Sequence, residues 1–142
     1  MSRTQFIVGV DLGGTNIVVG AMPADGTRQL GIRSEPTHAE RGSEGVVDRI
    51  VSMVAQVISN VISAEGALPQ DFLGVGMGAP GPLDREKGIV VVAPNLGWHD
   101  FPLRDSVSER IQLPVTLDND ANCATVGEWW RGAAQGGRNV IG

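Results

Sequence analysis

The sequence predicts an α/β fold: a mixed sheet that contains an antiparallel three-strand meander, with helices on both faces. Three observations predict it. Three strand-like segments follow one another within the first 32 residues, an apolar stripe with helical spacing comes next, and strand-like and helix-like segments then alternate. A length of 142 residues, of which 42% are hydrophobic, suffices for one core and argues against two full domains.

The first part of the chain predicts the meander and a long helix. Gln5 to Val10 and Asn16 to Met22 are rich in β-branched residues and predict two strands, and Arg28 to Ile32 predicts a third after the turn-forming PADG. For the helix that follows, Ser43 is the candidate N-cap and Gly66 the candidate stop. Apolar residues recur there at steps of three and four: Val47, Ile50, Val51, Val54, Val57, Ile58, Val61 and Ile62.

The second part of the chain alternates between strands and helices. The predicted strands are FLGVGMGAPG (72–81), GIVVVAPN (88–95), LPVTLDND (113–120) and the start of one more at RNVIG (138–142). The predicted helices are Pro102 to Arg110 and the segment 120–132, which ends at Gly132. In such sheets ligands bind at the loops beyond the carboxyl ends of the strands. The polar motifs of this chain fall at such loops.

Charge and composition exclude some function classes. A formal net charge of −5 without a Lys/Arg cluster argues against a nucleic-acid partner. The sequence shows no uninterrupted apolar run near the roughly 20 residues of a membrane span, and MSRTQFIVGV has no cleavable leader pattern. The single cysteine, Cys123, has no partner for an internal disulfide. We therefore expect a cytoplasmic protein with no membrane partner.

The stretch VGVDLGGTNIVVG (8–20) places an acid and two glycines where a buried strand ends. Gly13 and Gly14 allow the turn to expose backbone N–H groups that can cradle phosphate. Asp11 can hold Mg²⁺ through water, and Thr15 can add a hydroxyl contact. The alternative is a plain hairpin turn, which Gly-Gly also favours.

Two further motifs offer polar groups beside such a turn. In LDNDANCA (117–124) a strand delivers Asp118, Asn119 and Asp120 to the start of a helix, where one can cap and the others can face a cleft. The glycines and prolines of GVGMGAPGPLD (74–84) form a stiff loop of low bulk, and Asn95 in VVVAPNLGW (90–98) offers a donor and an acceptor to a ligand. The alternatives are caps, ordinary turns and a surface Trp98.

These motifs, in this order, closely resemble the N-terminal lobe of the ROK family of sugar kinases, especially its bacterial glucokinases. The resemblance implies an actin-like, ribonuclease-H-like lobe over residues 1–142, with ATP and sugar bound in the cleft between it and a C-terminal lobe. Asp11, Gly13, Gly14 and Thr15 match the family's first phosphate loop. Asn16 stands where many members have Lys, which removes a positive charge.

The resemblance also implies roles for the remaining motif residues. Asp120 matches the catalytic base that takes the proton from the 6-hydroxyl of the sugar, Asn95 and Asn119 match sugar ligands, and the loop of Gly78, Ala79 and Gly81 matches the wall beside the sugar. The implied cofactors are ATP and Mg²⁺. The second phosphate loop, an ExxH pair and a structural zinc are expected only in a C-terminal lobe outside this chain.

We therefore expect ATP-dependent phosphorylation of a hexose, with glucose as the first candidate, by a full-length protein that forms a homodimer; this lobe alone is expected to be inactive. The alternatives are a kinase for N-acetylmannosamine, N-acetylglucosamine or fructose, polyphosphate as the phosphoryl donor, or a sugar-responsive ROK transcriptional regulator. Regulators carry a helix-turn-helix before the first strand, whereas only MSRT precedes Gln5 here. That difference, and the presence of Asp120, favour the enzyme.

Overall fold

The structure, a computed structural model, describes residues 4–26 and 28–119. In chain order its strands are β1 (Phe6–Leu12), β2 (Asn16–Pro23), β3 (Leu30–Pro36), β4 (Phe72–Ala79), β5 (Leu83–Asp84), β6 (Ile89–Ala93), β7 (Trp98–Phe101) and β8 (Val115–Asn119). The helices are α1 (Gly42–Glu65) and α2 (Leu103–Ile111). The strands form a five-stranded sheet in the order β3-β2-β1-β4-β8 and a separate three-stranded sheet in the order β5-β6-β7.

The larger sheet is mixed. β1 pairs antiparallel with β2, and β2 pairs antiparallel with β3, which confirms the predicted meander. β4 runs parallel to β1, and β8 runs parallel to β4. Because parallel strands point in the same direction, β1, β4 and β8 all end at one edge of the sheet. We call this edge the carboxyl edge.

One face of the large sheet forms the main core with α1. The alternate residues Phe6, Val8, Val10 and Leu12 of β1 are buried. α1 contacts β1, β2 and β3, and α2 contacts α1 and β8. α1 buries a stripe with helical spacing, as predicted, although Val51, Ile58 and Ile62 of the predicted stripe are only partly buried. Its buried residues are Val46, Val47, Ile50, Met53, Val54, Val57 and Val61. Burial of this stripe, at roughly 25 cal/mol per Å² of apolar surface, is what holds so long a helix to the sheet.

The length and composition of the Ala39–Glu65 helical stretch would also allow it to cross a membrane. Buried core helices of soluble proteins meet the same criterion. In this fold α1 lies along the sheet and contributes to its hydrophobic core.

The ends of α1 agree with the sequence prediction at one end only. Gly66 follows the helix in the left-handed conformation, with φ of 67°, and its N–H donates to the Ile62 carbonyl at 3.1 Å, as expected of a C-cap. The prediction of Ser43 as N-cap was wrong. A short 3₁₀ turn leads directly into the helix, so that the cap position falls on Arg41 and Ser43 lies inside the first turn.

The third strand begins later and extends further than predicted. The sequence predicted it over Arg28 to Ile32, whereas β3 spans Leu30–Pro36. β3 is an edge strand with mostly exposed or half-exposed side chains, so its polar residues give no alternating apolar pattern. The bounds of β3 are set instead by its pairing with β2, in which Asn16 lies opposite Pro36.

The small sheet was only partly predicted. The strand in 88–95 is present as β6, but it pairs with β5 and β7, which the sequence analysis missed, and not with the large sheet. Trp98 is 6% exposed in β7 and packs on Phe101 with ring centroids 4.6 Å apart, so the alternative of a surface tryptophan is wrong. Glycines with positive φ, Gly88 and Gly97, mark the two connecting turns.

The α/β class and the mixed sheet are thus confirmed. The predicted helix over 120–132, the start of a strand at 138–142 and the residues Asp120 and Cys123 lie outside the described residues.

Candidate functional site

Two carboxylates and a glycine are aligned at the carboxyl edge. Asp11 of β1 is in register with Gly78 of β4, and Gly78 is in register with Asp118 of β8. Residues in register on neighbouring strands point to the same face, and neighbouring strands lie about 4.8 Å apart. Asp11 and Asp118 therefore project from one face, roughly 10 Å apart at the backbone, and the buried Gly78 lies between them.

The predicted phosphate turn, Gly13 to Thr15, joins β1 to β2 and lies beside this edge. It is a tight hairpin in which the Gly13 N–H donates to the Asn16 carbonyl at 2.9 Å. Neither glycine has a positive φ. Glycine is required for space: a Cβ on Gly13 would lie 3.0 Å from the Asn16 carbonyl oxygen, and one on Gly14 would lie 2.9 Å from the Asn95 Cβ.

Asn95, the predicted sugar ligand, is exposed in the turn between β6 and β7. Two backbone bonds form this turn, from the Leu96 N–H to the Ala93 carbonyl at 2.9 Å and from the Gly97 N–H to the Pro94 carbonyl at 3.1 Å. Because Gly14 has no side chain, the Asn95 turn lies directly against the glycine turn. Two motifs that are 81 positions apart, from Gly14 to Asn95, are therefore in contact.

This contact gives a test by a double-mutant cycle. Gly14→Ala is expected to lower stability by about 1 to 3 kcal/mol, because the new methyl group overlaps the Asn95 Cβ. In an Asn95→Gly background, where that Cβ is absent, the same substitution should cost clearly less. Thermal denaturation of the four proteins measures both costs. Equal costs in the two backgrounds would show that Gly14 and Asn95 do not touch.

The predicted wall residues lie at the end of β4 and in the loop after it. Gly78 and Ala79 are the last two residues of β4, and both are buried. Gly81 has φ of 85°, and a Cβ there would lie 2.0 Å from the Val92 carbonyl oxygen of β6. The Val91 N–H also donates to the Pro82 carbonyl at 2.9 Å. The loop is thus fixed against the small sheet, near the carboxyl end of β6, which Asn95 follows.

An arginine that the sequence analysis did not single out reaches the carboxyl edge. The Arg85 guanidinium donates to the Asp118 carboxylate at 3.2 Å. The backbone beside it is held by Arg104, which donates to the carbonyls of Arg85 and Glu86 at 3.2 Å each. The Arg85 side chain is 65% exposed, so the ion pair adds little stability but places a positive charge at the end of β8.

Thr37 is the second residue that the sequence analysis missed. It lies just after β3, is 1% exposed, and its hydroxyl donates to the Gly13 carbonyl at 2.8 Å. Its backbone N–H donates to the Thr15 carbonyl, also at 2.8 Å. A lone threonine between Pro36 and His38 belongs to no motif, and no sequence signal indicated this contact.

The structure thus brings Asp11, Gly13, Gly14, Thr15, Gly78, Ala79, Gly81 and Asn95 to one end of the fold. β8 delivers the Asn119 backbone to the same edge, where it pairs with Ala79. The Asn119 side chain and Asp120, the predicted base, lie outside the described part of the chain, and their positions relative to the site stay predictions.

Comparison with known proteins identifies the family. The ROK family profile matches residues 7–142. The chain belongs to the ROK family.

Two curated relatives and a solved structure show which ROK proteins it is similar to. The glucokinase of Thermotoga maritima is 41% identical over 136 residues, which are 95% of this chain and 40% of that protein. The glucokinase of Halalkalibacterium halodurans is 36% identical over 138 residues, 96% of this chain and 40% of that protein. The structure of a Streptomyces griseus ROK glucokinase in complex with glucose and AMPPNP matches with a TM-score of 0.74 and 39% identity, over 92% of this chain and 38% of that one.

The chain spans about 40% of the length of these curated glucokinases. ROK repressors are similar as well. The xylose repressor of Bacillus subtilis is 30% identical over 140 residues, 98% of this chain and 34% of that protein.

Proposed function

We propose that the full-length protein is an ATP-dependent glucokinase and that residues 1–142 are its N-terminal lobe. The contact between Gly14 and Asn95 supports this most directly, because it sets the predicted phosphate turn against the predicted sugar ligand. In phosphoryl transfer the protein acts mainly by positioning the two substrates and by stabilising charge. The glucokinases among the relatives favour glucose as the sugar and ATP as the donor.

In this proposal the glycine turn binds the ATP phosphates and Asp11 holds Mg²⁺ through water. Asp11 fits this role because it is exposed at the carboxyl edge and presents oxygen ligands, which Mg²⁺ prefers while it keeps several waters. Mg²⁺ supplies charge neutralisation to the phosphates. Within residues 4–26 and 28–119 no group of three or more His, Cys, Asp or Glu side chains could hold a metal ion; the proposal places the structural zinc in the C-terminal lobe.

The sugar lies between the two turns and the end of β8 in this proposal. Asn95 and Asn119 bind its hydroxyls, and Gly78, Ala79 and Gly81 form a wall without large side chains. Asp120 accepts the proton of the 6-hydroxyl as that oxygen attacks the γ-phosphate. A carboxylate suffices as base here, because the loose transition state mainly requires the hydroxyl to be oriented and its proton to be removed late.

The test is ADP release by the full-length protein over a panel of glucose, fructose, N-acetylglucosamine and N-acetylmannosamine, with Mg·ATP or polyphosphate as donor. We expect the highest kcat/KM with glucose and Mg·ATP, and loss of activity with EDTA. A higher kcat/KM for another sugar would move the assignment to that sugar kinase. No sugar-dependent turnover with any donor would contradict the kinase assignment.

A sugar-responsive regulator is the second candidate, because the similarity to a xylose repressor covers nearly the whole chain. A gel-shift assay with the DNA upstream of its own gene separates the two functions. Sugar-sensitive DNA binding without turnover would establish the regulator.

We propose further that the full-length protein is a cytoplasmic homodimer without a nucleic-acid or membrane partner. Analytical ultracentrifugation tests the dimer.

A further inference from the structure

Thr37 donates two hydrogen bonds, and both go to one short segment. Its hydroxyl donates to the Gly13 carbonyl and its backbone N–H donates to the Thr15 carbonyl, each at 2.8 Å. Gly13 lies 24 positions earlier in the chain. Thr37 is one of only two buried polar or charged residues among those that the structure describes, the other being Asp71. Burial of a hydroxyl costs free energy unless the hydroxyl is hydrogen-bonded. The bond between the Thr37 hydroxyl and the Gly13 carbonyl therefore holds both the side chain and the turn in place.

These two bonds determine which groups of the turn face outward. The described chain has no cis peptide bond. In a trans peptide the carbonyl and the following N–H point in opposite directions. Since the Gly13 carbonyl points at the buried Thr37 hydroxyl, the N–H of Gly14 points away from it. The Thr15 carbonyl is likewise directed at Thr37, and the N–H of Asn16 away from it.

An anion site made of backbone needs this polarity. Outward N–H groups attract phosphate oxygens, whereas an outward carbonyl repels them. The peptide planes of a glycine turn can rotate freely. Rotation of one plane would replace an outward N–H group with an outward carbonyl. Because Thr37 holds the Gly13 and Thr15 carbonyls, their peptide planes cannot rotate before the nucleotide binds. Less conformational entropy is therefore lost on binding.

We infer that Thr37 is a positioning residue of the phosphate turn: its hydroxyl and N–H fix the Gly13 and Thr15 carbonyls inward and so keep the Gly14 N–H available to the nucleotide. Thr37 itself touches neither substrate. This inference rests on the proposed kinase function.

The test compares Thr37→Val and Thr37→Ser in the full-length protein. Valine has nearly the shape of threonine but no hydroxyl, while serine keeps the hydroxyl. We expect Thr37→Val to raise the KM for Mg·ATP about fivefold to tenfold, the equivalent of one lost hydrogen bond to a buried acceptor, with a smaller effect on the KM for glucose. Thr37→Ser should stay near the wild-type value. Calorimetric titration with Mg·AMPPNP in the absence of sugar should show the same order of affinities.

Thermal denaturation separates positioning from stability. All assays are run well below the melting temperature of the least stable variant, so that a purely structural role leaves both KM values unchanged. A KM for Mg·ATP in Thr37→Val equal to that of the wild type, an equal rise for both substrates, or a failure of serine to restore nucleotide affinity would each overturn the inference. Failure of the proposed function is distinguishable, because the wild-type protein would then show no sugar-dependent turnover at all.

Discussion

Asp120→Asn in the full-length protein is expected to abolish measurable turnover, a loss of at least about 100-fold in kcat. Asparagine keeps the size and can hydrogen-bond the 6-hydroxyl, but it cannot accept the proton as the sugar oxygen attacks. The dissociation constant for glucose should therefore stay close to the wild-type value.

Steady-state ADP release gives kcat, and equilibrium titration with glucose gives the dissociation constant. Asp105→Asn is the matched control, because Asp105 is an exposed aspartate of α2 that forms an ion pair with Arg104. The control should keep wild-type kcat. Wild-type turnover in Asp120→Asn would remove Asp120 from the role of base.

Gly81→Ala is expected to destabilise the protein by about 2 to 5 kcal/mol. Two effects add. The φ of 85° is left-handed, where a side chain costs about 1 to 2 kcal/mol, and the new Cβ would lie 2.0 Å from the Val92 carbonyl oxygen. That oxygen belongs to the backbone of β6, so relief requires the loop and the small sheet to separate.

Gly66→Ala isolates the first of these effects. Gly66 has a similar φ of 67°, but a Cβ there meets nothing within 4 Å, and the residue lies at the end of α1. Thermal denaturation should show a clearly larger decrease in melting temperature for Gly81→Ala than for Gly66→Ala. Equal decreases would mean that the loop after β4 does not press on β6.

Strong periodicity made β1 and α1 predictable. α1 and β1 bury one complete stripe or face each, and burial of that kind appears directly in the order of apolar residues. β3 and β7 show the limit. Their boundaries depend on which neighbour supplies hydrogen bonds, and the polar residues of β3 and the four-residue length of β7 leave no pattern to detect.

For the site, the sequence indicated candidate residues but not the contacts that support them. Asp11, the glycine turn and Asn95 could be proposed because acids, glycines and amides at strand ends are recognisable residue types in a recognisable order. Thr37 and Arg85 contact segments that lie 24 and 33 positions away in the chain. Only the fold reveals such partners, since no local spacing relates them.

The most direct test of the proposed glucokinase activity is ³¹P NMR of the full-length protein with glucose, ATP and Mg²⁺. We predict a glucose 6-phosphate resonance that grows in equal amount with ADP. Glucose binding without any sugar phosphate, or ADP formed without it, would contradict the assignment of this lobe to a glucokinase.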